Sequence, residues 1–219
     1  MKKIFFTVFV FVLFNVSMAA LEARVLELNG KVEIKNAGSQ TWQPIAVGGL
    51  IEKNSIISTG IKSTAVISVG ASRISISPLS MLTLEELVLK ENTLESTLYL
   101  RTGRVRADVT PPSGQKLEFT VRSPTTTASV RGTSFSFDGN KLSVYSGKVA
   151  FFNNSGQKVF VNPNQRSYSN PENQRLALPF EAELSIIRPT MSDFNKTGAG
   201  RNDSNKQGIT SVEFVPQWE

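Results

Sequence analysis

Few side chains in this 219-residue sequence are able to do chemistry, and the missing types narrow its functions first. The chain contains no His and no Cys. That removes a Ser-His-Asp triad, a cysteine nucleophile and zinc or copper bound through His or Cys. The carboxylates are scattered, and none follows the spaced-aspartate pattern of a calcium loop, so no metal is expected. Glu85-Glu86 is the one adjacent acidic pair. Neighbours in a strand point to opposite faces, so this pair would not flank a glycosidic bond together. The residues point away from catalysis, and no cofactor is expected.

What remains is recognition. Val130-Arg131-Gly132-Thr133, followed by Phe135, sets a guanidinium and a glycine between two apolar β segments. One reading makes Arg131 a contact site, because its planar fork suits a carboxylate or phosphate. The other makes the group a structural staple. Gly132 would allow a tight passage, Arg131 would bond corner carbonyls, Thr133 would satisfy a loop amide, and Phe135 would fill the core. Such a group between apolar strands favours the staple. At the far end, Phe214, Val215 and Trp218 form a second apolar cluster, a candidate for docking a partner. Asn153-Asn154-Ser155, Asn195-Lys196-Thr197 and Asn202-Asp203-Ser204 have the form of glycosylation acceptors and read as polar loops.

The elements that would position these residues are short strands. Leu26, Leu28, Val32 and Ile34 share a parity around Gly30. Val105, Ala107 and Val109 alternate with Arg104, Arg106 and Asp108, and Leu117, Phe119 and Val121 alternate with Glu118, Thr120 and Arg122. A period of two means strands with one buried face. Asp138-Gly139 predicts a hairpin turn, and Leu82 to Leu100 reads as strand-turn-strand. An apolar-x-x-Gly-basic-Val pattern is complete at Leu100–Val105 and Val144–Val149, and one residue shorter at Leu28–Val32. Glycine between strand segments suits a tight corner. The expected fold is all-β, an irregular β-solenoid of short strands, with a β-sandwich as the alternative.

Lys2-Lys3, the apolar run Ile4–Phe14 and the small residues up to Ala20 have the layout of a secretory signal peptide, read as residues 1–19. The run is shorter than the roughly 20 residues of a spanning helix, so no stable transmembrane span is expected after cleavage. The exported part then divides into a β domain over 20–170, a short packed extension over 171–188 and a tail over 189–219. Pro189 to Gly208 is rich in Asn, Gly, Ser, Lys and Thr and is expected to be disordered. The apolar terminus beyond it either folds back, the favoured reading, or docks a partner through that linker.

Composition agrees with a folded exported domain: 40% of residues are hydrophobic and 19% charged. Without Cys, no disulfide contributes, so a core and a sheet must suffice. The net charge of +6 falls by two, to +4, once Lys2 and Lys3 leave. No dense basic run interleaved with stacking aromatics is present, so no nucleic-acid partner is expected.

Ser123-Pro124-Thr125-Thr126-Thr127-Ala128-Ser129-Val130-Arg131-Gly132-Thr133-Ser134-Phe135 resembles the Pro-small-small-Ala-x-Val-Arg-Gly-Thr-x-Phe stretch of the FecR family. Trp42-Gln43-Pro44, Ile56–Gly60, Ser63–Ile67 and Ser72–Ile76 resemble its lead-in and paired strands. The resemblance runs from about Val25 to Phe152. Lys53-Asn54 and Gly70-Ala71 depart from the family's usual turn residues. Well-known members relay an envelope signal: an outer-membrane receptor engages the exported domain, and a cytoplasmic N-terminal segment acts on a sigma factor. Only Met1-Lys2-Lys3 precede the apolar run here, so direct sigma-factor control is not expected. The resemblance implies a stand-alone periplasmic, cell-surface or secreted binding module. It would recognise an envelope protein or a cell-wall or surface glycan. A structural component of an envelope assembly, docked through its C-terminal tail, is the alternative.

Overall fold

The computed structural model describes residues 22–170 and 172–180, and the statements below refer to these. The segments read as signal peptide (1–19) and tail (189–219), with Phe214, Val215 and Trp218, lie outside the described residues, as does most of the 171–188 extension.

The chain builds two sheets, of eight and nine strands, and passes repeatedly between them. β1 (Ala23–Asn29) enters the eight-stranded sheet, and β2 (Val32–Lys35) and β3 (Gln43–Pro44) enter the nine-stranded one. β4 (Leu50–Ile51) returns to the first and β5 (Ile56–Thr59) to the second. The hairpin β6 (Thr64–Val69) and β7 (Ser72–Ile76) lies in the first sheet. The longer hairpin β8 (Met81–Lys90) and β9 (Thr93–Thr102) lies in the second. β10 (Val105–Asp108) is in the first, β11 (Lys116–Arg122) and β12 (Thr126–Val130) in the second. β13 (Ser134–Phe137) and β14 (Lys141–Ser146) follow in the first, β15 (Val149–Asn153) and β16 (Lys158–Val161) in the second. β17 (Arg166–Tyr168) closes in the first.

The all-β expectation holds. In each sheet the strand order follows the chain order closely, as the coils of a solenoid would. Yet neighbours pair antiparallel, with β9 and β11 the parallel exception among the described pairs, and one apolar cluster is shared by both sheets, as in a sandwich. β11 and β10 each give one parity to the cluster, Leu117, Phe119 and Val121 from the first and Val105 and Ala107 from the second. In β1, by contrast, a bulge after Val25 leaves Leu26 exposed, against the parity read for it, with Ala23 and Val25 buried. Phe137 of one sheet meets Phe151 of the other edge-to-face, with ring centroids 6.2 Å apart.

The recurrent Gly-basic-Val pattern turns out to encode the passage between sheets. Gly30, Gly103 and Gly147 stand between β1 and β2, β9 and β10, and β14 and β15. Gly103 has φ +90°, and a Cβ built on it would lie 2.4 Å from the Ser80 Cα. The Arg104 amide just beyond it donates to Ser80 Oγ at 3.0 Å. The same device recurs at the first corner, where the Lys31 amide donates to Ser63 Oγ at 2.8 Å. These two corners therefore rest on a hydroxyl of a neighbouring corner, which satisfies an amide that the sheet switch would leave unpaired. At the Gly147 corner the Thr133 hydroxyl instead donates to the Lys148 carbonyl.

Turn readings resolve in the same terms. Asp138-Gly139 closes the β13–β14 hairpin, with the Lys141 amide donating to the Asp138 carboxylate at 2.8 Å. Asn54 and Gly70, the family departures, sit at φ +64° and +57°. Asparagine and glycine both tolerate that region, so the turns survive the changed residues. Beyond β17, Leu176 is 1% exposed and bridges to Ser169.

Candidate functional site

The Val130–Phe135 group straddles the passage from β12 to β13, and the structure divides it in two. Val130 and Phe135 are 3% and 0% exposed, on inward positions of β12 and β13. Thr133 is buried as well. Its backbone exchanges hydrogen bonds with Val109 at 3.0 and 3.2 Å, and its hydroxyl donates to the Lys148 carbonyl at 3.3 Å. At Gly132 a Cβ would stand 3.3 Å from the Pro111 ring, a snug passage.

Arg131 departs from the staple reading. Its side chain is 84% exposed, and its described interaction is an ion pair with Glu118 at 3.6 Å, not a bond to a corner carbonyl. The cause is strand parity: Val130 and Phe135 occupy the inward positions, which turns Arg131 outward at the end of β12. An exposed pair of this kind adds little to stability.

Around Arg131 the outer face of the nine-stranded sheet forms an open groove of ≈ 600 Å³. The strands place its walls by register. Ser129 faces Ala150 across β12 and β15, Ala150 faces Phe160 across β15 and β16, and Phe152 faces Lys158. Inward neighbours Ala128, Phe151 and Val159 are buried, so these outward residues share one surface. The floor is small, Ser129 and Ala150, and the wall is aromatic, Phe152 and Phe160. Phe160 is 53% exposed, so its ring forms part of the groove's solvent-facing surface.

Three cations rim the groove: Arg131, Lys148 and Lys158. Lys158 Nζ lies 5.1 Å from the Phe152 ring centroid and 4.7 Å from that of Phe160, and Lys148 Nζ lies 5.9 Å from Phe160. The rings hold the ammonium groups over the groove by cation–π attraction. Among the described residues no carboxylate lines it, and Glu118 reaches its rim through the pair with Arg131. The arrangement offers apolar contact and positive charge together, which suits an anionic ligand with an apolar part.

No residue at this groove is arranged for acid–base work. Glu85 pairs with Arg122 at 3.3 Å, while Glu86 lies near Lys53 and Lys90 at 3.9 and 3.8 Å. The two carboxylates are thus engaged separately. Among the described residues no group of three or more acidic side chains could hold a metal ion.

Sequence reasoning singled out Arg131 but missed Lys148, Phe152, Lys158 and Phe160. The alternation Lys158-Val159-Phe160-Val161 was there to read. Two parities were possible, however, and Phe160 looks as suited to a core as Val159. Only the pairing with β15 assigns it outward.

Comparison with known proteins adds the following. Residues 55–150 match the family model described as FecR protein. No curated protein sequence matches the chain. Among solved structures, it is similar to two crystal structures, at 1.65 and 2.50 Å resolution, described as those of a candidate anti-sigma factor from Parabacteroides distasonis ATCC 8503. Identity is 17% in both, with TM-scores of 0.47 and 0.46. The similarity covers 56% of this chain and 57% of each solved chain.

Proposed function

From a chain whose residues 55–150 form a FecR domain, we propose an exported, non-catalytic module that binds an envelope protein or an envelope glycan through the outer face of its nine-stranded sheet. The observation that carries this reading is the groove of Phe152 and Phe160 rimmed by Arg131, Lys148 and Lys158. The exposed Phe160 ring beside three clustered cations is surface that a ligand with an apolar and an anionic part would cover. The charged-then-apolar N-terminal pattern supports export, to the periplasm or beyond. Among the described residues no helix is long and apolar enough to cross a membrane. An exported module is separated from a cytoplasmic sigma factor by the inner membrane, so it acts through a partner and not on the factor itself.

Arg131→Ala tests the assignment. The immobilised protein is offered solubilised native envelope, and retained protein and glycan are quantified beside the melting curve. Removing an exposed cation is expected to leave stability within about 0.5 kcal/mol. Retention should weaken about fivefold, the effect of roughly 1 kcal/mol. A marked loss of stability with unchanged retention would return Arg131 to a structural role and take the groove's rim away from binding.

A further inference from the structure

The two sheets have four edges, and three are blunted. β3 is two residues long and contains Pro44, which has no N–H to offer. β4 is also two residues long, and beyond it the edge of β1 is interrupted by a bulge between Val25 and Glu27. β17 is covered by the following segment: the Ala177 amide donates to the Tyr168 carbonyl at 2.8 Å, and Ser167 Oγ donates to the Ala177 carbonyl at 2.7 Å. β16 differs. It is four residues long, Lys158–Val161, and among the described strands it pairs with β15 alone, at the end of its sheet.

Its free side is defined by the ladder. The β15–β16 hairpin closes with the Asn153 amide donating to the Gln157 carbonyl at 3.1 Å. Antiparallel ladders alternate every second residue, so Val159 and Val161 bond to β15, while the N–H and C=O groups of Lys158 and Phe160 face outward from the sheet edge. No hydrogen bond from either backbone to another segment is present among the described residues. The side chains of the same two residues, Lys158 and Phe160, line the groove. Main-chain donors and acceptors, an aromatic ring and an ammonium group are therefore presented together.

A lysine on an edge strand also serves to repel unwanted pairing. That role does not account for the 53% exposed ring of Phe160 beside it, nor for two more cations on the same groove.

We infer that the β16 edge receives an extended acidic strand of a partner protein, which continues the nine-stranded sheet and sets its carboxylates against Lys158, Lys148 and Arg131. The inference rests on the binding reading above and names the partner's chemistry. Charge selects the occupant: a second copy of this chain would bring the same cations to the same edge. Register sets the partner's pattern. A carboxylate beside Lys158 and an apolar side chain beside Phe160 must be two residues apart on the incoming strand.

The probe is a capped peptide of about ten residues, with glutamate and phenylalanine alternating on one strand face and threonine on the other. It is added to the full chain, and amide hydrogen exchange is followed residue by residue. At saturation the Lys158 and Phe160 amides should exchange at least about tenfold more slowly. Peptides N-methylated at every second amide, made in both parities, should include one that binds at least about tenfold more weakly. Phe160→Pro removes an edge N–H that the β15 ladder does not use, so it should also abolish binding.

Three outcomes overturn the inference: binding without protection of those amides, equal binding of both N-methylated peptides, or protection by self-association without peptide. A sulfated oligosaccharide that binds where the peptide does not would also overturn it, yet leave the groove's role in binding intact. If Arg131→Ala and reversal of the groove lysines change neither peptide binding nor envelope retention, the broader reading fails as well.

Discussion

Gly103→Ala is expected to lower the stability of the β domain by about 2–5 kcal/mol. The glycine turns the chain from one sheet to the other at φ +90°, a conformation that L side chains rarely adopt. That strain alone is worth about 1–2 kcal/mol. A methyl group there would also lie 2.5 Å from Ser80 Cβ and 2.4 Å from its Cα, and the backbone atom has no free rotation to yield. Moving Ser80 would disturb its bond with the Arg104 amide and, through the Ser80 amide and Thr59 Oγ1, the next corner. Gly156→Ala provides the contrast. Gly156 has φ +82° with nothing within 4 Å of the added methyl, so it should show the strain without the collision, about 1 kcal/mol. Urea unfolding of both variants separates the two contributions. Equal losses would mean that the Ser80 contact yields freely, and that the corners do not brace one another.

Lys148→Glu with Lys158→Glu is expected to weaken envelope binding by about 2–4 kcal/mol, between thirtyfold and a thousandfold. Both ammonium groups stand over Phe152 or Phe160 on the groove. Reversal therefore removes two attractions to an anionic ligand and adds two repulsions at the same place. Both residues are exposed, so the fold should lose little: at most about 1 kcal/mol from the missing cation–π contacts. Wild-type binding should fall as salt rises, because exposed charges are screened over roughly 10 Å at 0.1 M salt, and the variant should have lost most of that dependence. Strong salt-insensitive binding by the reversed protein would place the ligand elsewhere.

Much of the architecture was legible because alternation and turn chemistry are local. Phe119, Val121 and Phe135 read as inward residues, and they are. Asp138-Gly139 read as a hairpin turn because glycine accepts positive φ, found here at +95°. The repeated Gly-basic-Val pattern read as a reused corner. That Ser63 and Ser80 complete those corners was not legible, since they lie 32 and 24 residues from the amides they accept.

The site was harder to read for a related reason. Arg131 stood out as a motif, but whether its fork turned to corner carbonyls or to solvent depended on which parity β12 buried. Lys148 and Phe152 lie before the β15–β16 turn and Lys158 and Phe160 after it, while Arg131 belongs to the earlier passage from β12 to β13. Only sheet register gathers them on one face. A lone sequence carries strand period well and cross-strand register poorly, because register is settled by packing between segments distant along the chain.

Whether a partner occupies the groove in the cell is read by photo-crosslinking from a benzoyl-phenylalanine placed at Phe160. Tyr145, 46% exposed on β14 of the other sheet, serves as the control position. A discrete higher-mass adduct is expected from position 160 and none from 145, with the adduct lost in the Lys148→Glu, Lys158→Glu background. An adduct from 145 alone, or one from 160 that persists after both lysines are reversed, would contradict binding at the groove.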